Sequence, residues 1–387
     1  MTSPMTCSLR SLSVFTGQLG LVLLLTCSAL AAQAVTPSGP AFKAPVPTRH
    51  SVTAEEKDIL SHMQVVYLDD GQGGTVKTLR IEGINVQVVN GQGSTDTMNG
   101  LGNLIVGYNE MGSPNSDDRT GSHNIVAGKQ NSFSSYGGLV AGLKNTVSGP
   151  WSSASGGSLN TASGESSSVS GGRSSEAGGN FSSVSGGANH TASGVSSAIN
   201  SGHFNTASGS WSSVSGGWSN TANSSHSSVS GGWTNTASGY ASSVSGGQSN
   251  EASGNYSSVS GGRDNEASGH RSSISGGQRN IASGDTSSVS GGQWNTAYGD
   301  FSSVSGGQFS TASGYASSIS GGNGNTASGY GASISGGLSN EASGSRASVS
   351  GGFDNTASGS HSSVSGGFAR SASDNNDWVA GSLFEDK

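Results

Sequence analysis

The stretch SSVSGGWTNTASGYA, residues 227–241, is followed directly by SSVSGGQSNEASGNY, residues 242–256. From about Gly137 to Phe368 the chain repeats this fifteen-residue line without an insertion. Nearly every line keeps a β-branched residue at the Val229 position and a glycine at the Gly232 position. A flexible Ser/Gly linker has no reason to keep such residues at a fixed spacing. The period therefore favours a stacked repeat architecture over disorder.

The amino-acid composition also favours a stacked repeat architecture. The chain has 387 residues with 65 glycines, 31% hydrophobic residues and 10% charged residues, and the large aliphatic residues are sparse in its second half. A layered globular core cannot be built from so few of them, whereas a solenoid needs only a little burial in each coil. The net charge is -7 and no basic stripe is present, so we expect no nucleic-acid partner.

Each line is interpreted as one coil of a parallel β-solenoid, or β-roll, in an all-β fold. Fifteen residues are enough for two short strands and two tight turns. Because side chains alternate along a strand, Ser212 and Val214 are predicted to point inward, while Ser213 and Ser215 point outward. We expect the coils to stack along a narrow core made mainly of one column of Val or Ile.

The second strand and the turns follow from the same line. Asn235 and Ala237 are predicted to point inward, and the amides of the asparagine column are predicted to stack, each donating to the next coil. The glycines at the Gly217 and Gly209 positions are both predicted to adopt positive φ, because the chain reverses at each of them.

The N-terminal segment, residues 1–34, is predicted to be a signal peptide. Arg10 precedes the apolar run at residues 19–31, and the segment ends in small residues that suit cleavage. A membrane anchor and a lipobox around Cys27 are the alternatives. Both cysteines, Cys7 and Cys27, lie in this segment, so the mature chain is expected to lack disulfides. We expect a secreted or cell-surface protein with no stable membrane insertion after cleavage.

The rest of the chain is divided by composition and period. The predicted segments are a Pro-rich linker at residues 35–50, an N-terminal cap with irregular first coils at 51–135, the solenoid of fifteen-residue repeats at 136–370, and a C-terminal cap at 371–387. Terminal caps seal the open ends of a stacked repeat. In the C-terminal cap, Trp378, Val379 and Phe384 are expected to cover the last coil.

The N-terminal cap combines helix and strand signals. A short helix is predicted over residues 51–63, opened by a capping box of Thr53 and Glu56. The alternation of Ile84, Val86 and Val88 with polar neighbours predicts a strand. Three further glycines are spaced by 21 and then 14 residues, which indicates coils that begin irregularly; they are Gly107, Gly128 and Gly142.

The recurring line SSVSGGxxNTASGxx resembles the YadA-like head repeat of trimeric autotransporter adhesins over roughly residues 102–367. The likeness is carried best by Val214, Gly217 and Ala222 and by their copies. The resemblance implies a left-handed parallel β-roll, a homo-oligomer of three chains side by side, and a surface that binds host or matrix components. No heptad stalk and no barrel strands follow the repeats, so we expect neither autotransport nor outer-membrane anchoring.

Binding specificity is predicted to lie in the residues that vary from one repeat to the next. These occupy the two positions before each Ser-Ser and the position after each Gly-Gly, where the coil turns and side chains face solvent. Aromatic side chains there can stack on sugars or anchor a protein partner. The candidate ligand-contacting residues are Trp211, Trp218, Trp233, Tyr240, Tyr256, Phe301, Tyr315, Tyr330 and Phe353. The alternative is that the same rings cover the thin core or pack between chains.

Adhesion or a structural role in an extracellular fibre is therefore the expected function, and two alternatives stay open. An outward threonine column could bind ice, although acids such as Glu251 and Glu266 interrupt it; the column includes Thr206, Thr221, Thr236, Thr296, Thr311 and Thr326. A polysaccharide-active β-helix enzyme is the other alternative, but a fifteen-residue coil leaves little room for a cleft.

No motif in the sequence specifies catalysis or a cofactor. The eight histidines are scattered, and serine is so abundant that a Ser with a distant His and Asp carries no information about a triad. We therefore expect no enzymatic activity, no cofactor and no metal site. Calcium binding by Asp117 and Asp118, or by the acidic C-terminal tail, is an open alternative to solvated loops.

Overall fold

The computed structural model describes residues 52–112 and 117–380. The chain divides into two compact units, Met1–Ile84 and Asn85–Lys387. The predicted signal peptide, the predicted Pro-rich linker and Phe384 lie outside the described residues. Within the described ranges, no helix has the length and hydropathy needed to cross a lipid bilayer.

The first unit contains a helix, α1 (Ala54–Ser61), and an antiparallel hairpin of β1 (Met63–Asp69) and β2 (Thr75–Ile81). The predicted capping box is confirmed, because the Glu56 backbone N–H donates to Thr53 Oγ1 at 3.1 Å and Glu56 Oε2 accepts from the Thr53 N–H at 2.7 Å. The helix is shorter than predicted, since the chain enters β1 at Met63.

The hairpin turn is held by one carboxylate. Asp70 Oδ1 accepts from the backbone N–H groups of Gln72 and Gly74, each at 2.8 Å, and these bonds lower the pKa of Asp70. The strand predicted through Ile84, Val86 and Val88 is wrong: β2 ends at Ile81, opposite the first residue of β1. Beyond that pair the extended chain has no strand to bond with, and Gly83 turns it with a φ of 77°.

The second unit is a solenoid built from two parallel sheets, and each regular coil adds one two-residue strand to each sheet. The valine sheet comprises Leu104–Val106, Ile125–Lys129, Leu139–Leu143, Ser153–Ala154, Ser168–Val169, Ser183–Val184, Ala198–Ile199, Ser213–Val214, Ser228–Val229, Ser243–Val244, Ser258–Val259, Ser273–Ile274, Ser288–Val289, Ser303–Val304, Ser318–Ile319, Ser333–Ile334, Ser348–Val349, Ser363–Val364 and Trp378–Val379.

The alanine sheet comprises Ser132–Phe133, Thr146–Val147, Thr161–Ala162, Glu176–Ala177, Thr191–Ala192, Thr206–Ala207, Thr221–Ala222, Thr236–Ala237, Glu251–Ala252, Glu266–Ala267, Ile281–Ala282, Thr296–Ala297, Thr311–Ala312, Thr326–Ala327, Glu341–Ala342, Thr356–Ala357 and Ser371–Ala372. The prediction of an all-β parallel solenoid with fifteen-residue coils and a short N-terminal helix is thus confirmed.

The register follows the sequence period. Val214 pairs with Val229 in the valine sheet, and Ala222 pairs with Ala237 in the alanine sheet. The predicted irregular start is also observed, because Ile125 pairs with Leu104 and with Leu139, at spacings of 21 and 14 residues. At the other end the coil pattern continues past residue 370 as far as Trp378–Val379, which pairs with Ser363–Val364.

The core is a double column between the sheets. Val214 is 1% exposed and Ala222 is fully buried, and Ser212 points inward beside them as predicted. The hydroxyl at the Ser212 position has no hydrogen-bond partner among the described residues in most coils. Ala332 and Ala347 occupy the same position and are equally buried, so the core does not require that hydroxyl.

The second glycine of each Gly-Gly pair is required by the backbone. Gly232 has a φ of 89°, and a Cβ there would collide with the carbonyl oxygen of Gly247 in the next coil. The prediction of positive φ at this turn is confirmed. The first glycine is not required in the same way, because a Cβ at Gly231 would meet nothing within 4 Å and Ser201 occupies the equivalent position.

The prediction of positive φ at the Gly209 position is wrong. Gly209 is absent from the residues with positive φ, and glycine is needed there for space. A Cβ on Gly209 would collide with the carbonyl oxygen of Ser224, which takes the Gly209 position in the next coil. Close approach of successive coils, rather than a left-handed turn, therefore selects this glycine.

Two more residues in each regular coil have positive φ, and they are usually not glycine. Thr234 has a φ of 53° and Ala241 a φ of 52°. Left-handed backbone is costly for residues with a Cβ. The conformation is held by hydrogen bonds to the preceding coil, since Thr234 N–H donates to the Trp218 carbonyl and Ala241 N–H to the Ser225 carbonyl, each at 2.9 Å.

An asparagine ladder runs through the interior, with a bonding pattern different from the predicted one. Asn220 Oδ1 accepts from the backbone N–H of Asn235 at 2.9 Å. Asn235 Nδ2 donates to the carbonyls of Gly231 and Gly247, at 2.9 and 3.0 Å. The amides thus bond mainly to backbone groups of the turns rather than to one another, and the Gly247 carbonyl accepts in addition from the Trp233 N–H at 2.9 Å.

His190 interrupts this ladder and creates a dependence on pH. It is 1% exposed, and its Nδ1 accepts from the Asn205 N–H at 3.2 Å. Burial, and to a lesser degree the charge of His203, lowers the pKa of His190 below 6.5. Because the unfolded chain takes up this proton more readily than the folded chain, stability is lost as the pH falls below about 6.5.

We expect His190→Asn to raise the unfolding midpoint, and to raise it more at pH 5 than at pH 8. The new amide would reach turn carbonyls as Asn205 does, at 3.0 and 3.1 Å, and would remove the buried titrating group. Thermal unfolding followed by circular dichroism at both pH values measures the difference. The exposed His361→Asn is the control, and an equal gain at the two pH values contradicts the prediction.

Candidate functional site

The nine predicted ligand-contacting residues lie on two edges of the solenoid. The tyrosine edge is formed by the columns of Tyr240 and Ala241, and the tryptophan edge by the columns of Trp233 and Thr234. Trp211, Tyr240, Tyr256, Phe301, Tyr315 and Tyr330 lie on the tyrosine edge, and Trp218, Trp233 and Phe353 lie on the tryptophan edge. All nine side chains are between 41% and 59% exposed. Their role in ligand contact stays a prediction.

The tyrosine edge carries an unbroken line of rings over five successive coils. Trp211 and His226 are stacked, with ring centroids 5.1 Å apart and planes 5° apart. His226 meets Tyr240 edge to face at 5.5 Å, Tyr240 meets Tyr256 at 5.4 Å, and Tyr256 meets His270 at 5.8 Å. Each coil therefore supplies one ring that contacts the ring of the next coil.

The same edge continues through a polar contact into a second group of rings. His270 Nδ1 lies 3.1 Å from Asp285 Oδ1, and this hydrogen bond lowers the pKa of Asp285. Further along, Phe301 packs on Tyr315 at 5.3 Å, and Tyr315 and Tyr330 are stacked at 5.2 Å. The edge thus alternates between aromatic and charged stretches.

The tryptophan edge begins with a compact aromatic group. His203 is stacked on Trp218 at 5.4 Å, and Phe204 packs against the same indole at 5.2 Å. Trp218 and Trp233 follow at 6.0 Å. Three consecutive coils therefore place four rings side by side.

Further along, the tryptophan edge mixes rings with amides and charges. The Arg279 guanidinium lies 4.5 Å from the ring centre of Trp294, which is stacked on Phe309 at 6.3 Å. Gln278 Oε1 accepts from Gln293 Nε2 at 3.3 Å, one contact in an amide column beside these rings. The edge ends in a third stacked pair, Phe353 and Phe368, at 5.2 Å.

Several members of these edges were not singled out from the sequence. Phe204, Trp294 and Phe309 stand two residues after the glycine with positive φ, whereas the sequence pattern pointed only to the residue directly after that glycine. All three have positive φ, such as 57° at Phe204. Phe204 packs against Trp218 of the first column, whereas Trp294 and Phe309 are stacked on each other. His203, His226 and His270 look scattered in the sequence, although each falls in a column that carries aromatic residues in other coils.

The ring contacts bear on both interpretations of the aromatic residues. Rings that touch from coil to coil help to hold the coils together, and each such pair contributes about 0.5 to 1.5 kcal/mol. This agrees with the packing interpretation. The same rings keep about half of their surface exposed, so a partner can still contact them. The same aromatic residues can therefore stabilise the edge and remain accessible to a binding partner.

The other candidates have local structural roles. Asp117 Oδ2 accepts from the Gly112 N–H at 2.6 Å, and Asp118 Oδ1 accepts from the N–H and hydroxyl of Thr120, at 3.0 and 2.7 Å. Across the described residues, no three His, Cys, Asp or Glu side chains are grouped so that they could share a metal ion. Calcium binding by these aspartates remains untested.

A cavity of about 610 Å³ lies at the irregular start of the solenoid, with Asn90, Thr95 and His123 in its lining. His123 Nδ1 lies 3.0 Å from the Thr95 carbonyl oxygen, and its Nε2 accepts from the Asn90 N–H at 3.2 Å. Both ring nitrogens hold the loop, so neither is available as a base.

No protein-family model matches this chain, and a search of curated proteins finds no relative.

Proposed function

We propose that this protein is an exported, non-enzymatic β-solenoid that acts outside the cell as an adhesive or structural protein. The observation that carries the proposal is the pair of edges, where half-exposed rings from successive coils stand on a regular backbone. A preformed surface of this kind binds without ordering its own side chains again, which reduces the entropic cost of association. The predicted signal peptide supports a secreted or cell-surface location.

The distribution of variable residues supports the edges as the contact surface. The outer face of the valine sheet repeats the same two serines in coil after coil, for example Ser228 and Ser230. The edges instead combine tryptophan, tyrosine, glutamine, arginine and acidic residues. Aromatic surfaces and amide groups are suited to the apolar and hydroxyl groups of a glycan, and equally to a protein surface.

We also propose that the protein works as a homo-oligomer. The resemblance to YadA-like head repeats supports three chains. The thin core supports association more generally, since each coil buries one Val or Ile and one Ala between its sheets. Several edges in one assembly would multiply weak contacts into strong attachment.

The proposal is tested by binding the full chain to a glycan array and to immobilised matrix proteins. Trp218→Ala with Trp233→Ala removes rings from the tryptophan edge, and Tyr240→Ala with Tyr256→Ala does so on the tyrosine edge. We expect at least one pair to reduce binding about tenfold, as expected for loss of anchoring aromatics. Ser230→Ala with Ser245→Ala, on the outer face of the valine sheet, is the matched control. Equal binding by all variants contradicts the edges as the contact surface. Absence of any binding contradicts the adhesive role and leaves the structural one.

Ice binding is a second candidate because the threonine column is held in register. Thr191, Thr206, Thr221 and Thr236 pair in succession on the alanine sheet. Glu251 pairs directly with Thr236 and is exposed, so charge interrupts the column. A thermal-hysteresis measurement on the full chain decides between the candidates, and a value of zero removes ice binding.

A further inference from the structure

Two arginines of the tryptophan edge are held by one carboxylate. Arg263 Nε lies 3.3 Å from Asp264 Oδ2, and Arg279 Nε, one coil further, lies 3.5 Å from the same oxygen. The two arginine side chains remain 56% and 44% exposed. We call them the arginine pair. The shared oxygen brings two guanidinium groups together at one point of the edge, where two positive charges meet one negative charge.

The second guanidinium is also fixed by a ring. Arg279 Cζ lies 4.5 Å from the centre of the Trp294 ring, and cation–π attraction restrains a guanidinium in that position. Each arginine of the pair uses its Nε for the ion pair, and the Nη groups of both donate to no described residue. The arginine pair therefore presents exposed, preorganised N–H groups, whose planar geometry suits the oxygens of a carboxylate or sulfate group.

A column of side-chain amides extends from the arginine pair along the same edge. Gln278 Oε1 accepts from Gln293 Nε2 at 3.3 Å, and Gln293 Oε1 accepts from Gln308 Nε2 at 3.4 Å. The column ends where Gln308 Oε1 accepts from Asn323 Nδ2 at 3.4 Å. Amides both donate and accept, as sugar hydroxyls do. At about 4.8 Å per coil, this amide column offers polar contacts over roughly 14 Å beside the arginine pair.

The charge of the chain is distributed unevenly around the solenoid. The net charge is -7, yet the two columns of the tryptophan edge carry more basic than acidic residues; these are Lys144, Arg173, Arg263 and Arg279 against Asp264 and Asp354. On the outer face of the described alanine sheet the charged residues are all acidic and exposed; they are Glu176, Glu251, Glu266 and Glu341. An anionic ligand is therefore favoured at the tryptophan edge and disfavoured on that face.

We propose that the arginine pair and the amide column bind an acidic polysaccharide, a sugar chain that carries carboxylate or sulfate groups. The guanidinium groups bind the anionic group, and the amides bind hydroxyls of the neighbouring sugars. Trp294 acts by positioning Arg279, because Arg279 of the preceding coil and Phe309 of the next coil lie on either side of its ring. The inference rests on the proposed adhesive function and deepens it by naming the ligand class of one edge.

The test compares labelled polymers that differ in one property. Dextran is a neutral sugar chain, carboxymethyl dextran and dextran sulfate are the same chain with anionic groups, and polyglutamate carries carboxylates without sugars. Fluorescence anisotropy measures the binding of each to the full chain at about 20 mM and about 150 mM salt. We expect an acidic dextran to bind about tenfold more tightly than dextran or polyglutamate, and more weakly at the higher salt concentration. The preferred dextran identifies the anionic group as carboxylate or sulfate.

Three double variants locate the site. Arg263→Gln with Arg279→Gln removes both guanidinium groups and should weaken binding of the acidic dextran about tenfold, with an unchanged circular dichroism spectrum. Arg271→Gln with Arg346→Gln, on the tyrosine edge, changes the net charge equally and is the matched control, which should keep the wild-type affinity. Arg263→Lys with Arg279→Lys keeps the charge without the planar donor groups and should give an intermediate affinity.

Several results would overturn the inference. Polyglutamate binding as tightly as the acidic dextrans would show that charge alone is recognised, and equal losses in the two Arg→Gln double variants would show that the arginine pair is not the site. A chain that binds none of these polymers but binds glycans or matrix proteins in the assay above contradicts this inference alone. A chain that binds nothing in either assay contradicts the adhesive function as well.

Discussion

Replacing Gly232 with alanine is expected to destabilise the surrounding coils by about 3 to 5 kcal/mol, whereas Gly231→Ala should cost less than about 1 kcal/mol. Gly232 has a φ of 89°, and its added methyl group would strike the carbonyl of Gly247. Gly231 has open space at the same point of the coil. The two substitutions add the same atoms one residue apart, so their difference isolates the backbone requirement.

Hydrogen exchange read by mass spectrometry on peptides covering residues 227–256 measures this effect locally. We expect faster exchange in the coils on both sides of Gly232→Ala and wild-type exchange in Gly231→Ala. Thermal unfolding followed by circular dichroism gives the global effect. Equal exchange in the two variants would show that the left-handed turn does not limit coil stability.

The asparagine ladder is expected to give the second large effect, with Asn235→Ala costing about 3 kcal/mol. Asn235 donates to the carbonyls of Gly231 and Gly247, and its Oδ1 accepts from the Asn250 N–H at 3.0 Å. Alanine removes all three bonds at a fully buried position. The Asn250 N–H and the Gly231 carbonyl lose the partner that Asn235 gives them, whereas the Gly247 carbonyl keeps its bond from the Trp233 N–H at 2.9 Å.

A graded series makes this prediction specific. Asn235→Ser should lie between wild type and Asn235→Ala, because Ser310 in the same ladder still accepts from the Asn325 N–H at 3.4 Å. The control is Asn255→Ala, an exposed asparagine whose Oδ1 accepts only from the Tyr240 N–H, at 3.0 Å. Urea unfolding measures the free energies. A ladder variant no more destabilised than the exposed control would refute the role assigned to the amides.

Much of the coil could be predicted because its period reports a repeated local requirement. A single alternation of side chains places Ser212 and Val214 inside, and the invariant glycine at the Gly217 position marks a turn with positive φ. Spacing alone also anticipates the irregular pairing of Ile125 with strands on either side. These features depend on residues within one coil or on the repeat length.

The features that could not be predicted depend on neighbouring coils. Glycine at the Gly209 position looks the same in the sequence whether φ or close approach requires it, and only the position of the Ser224 carbonyl distinguishes the two. The left-handed conformation of Thr234 is likewise invisible, because its stabilising bond goes to the preceding coil. The end of β2 at Ile81 could not be predicted either, because the first residue of its partner strand, Met63, determines it.

Only part of the two candidate edges could be predicted, because their ring contacts also run between coils. Trp233 and Tyr240 could be placed at turns from their position in the line, and both are exposed. That Phe204 reaches Trp218, and that His226 lies between Trp211 and Tyr240, are relations across coils. Such an edge is recognised by comparing equivalent positions in successive coils, rather than by considering residues one at a time.

The register of the valine sheet has a consequence for the length of the solenoid. Every regular strand meets its neighbour fifteen residues away, as Val229 meets Val214 and Val244. Deletion or duplication of one whole coil brings the same contacts together again, so we expect a chain with one coil fewer or one coil more to keep the fold. A change that is not a whole number of coils requires an irregular coil, as at the start of the solenoid, where paired residues are 21 and 14 residues apart. The length of the solenoid can therefore change in steps of one coil, and each step adds or removes one set of edge residues.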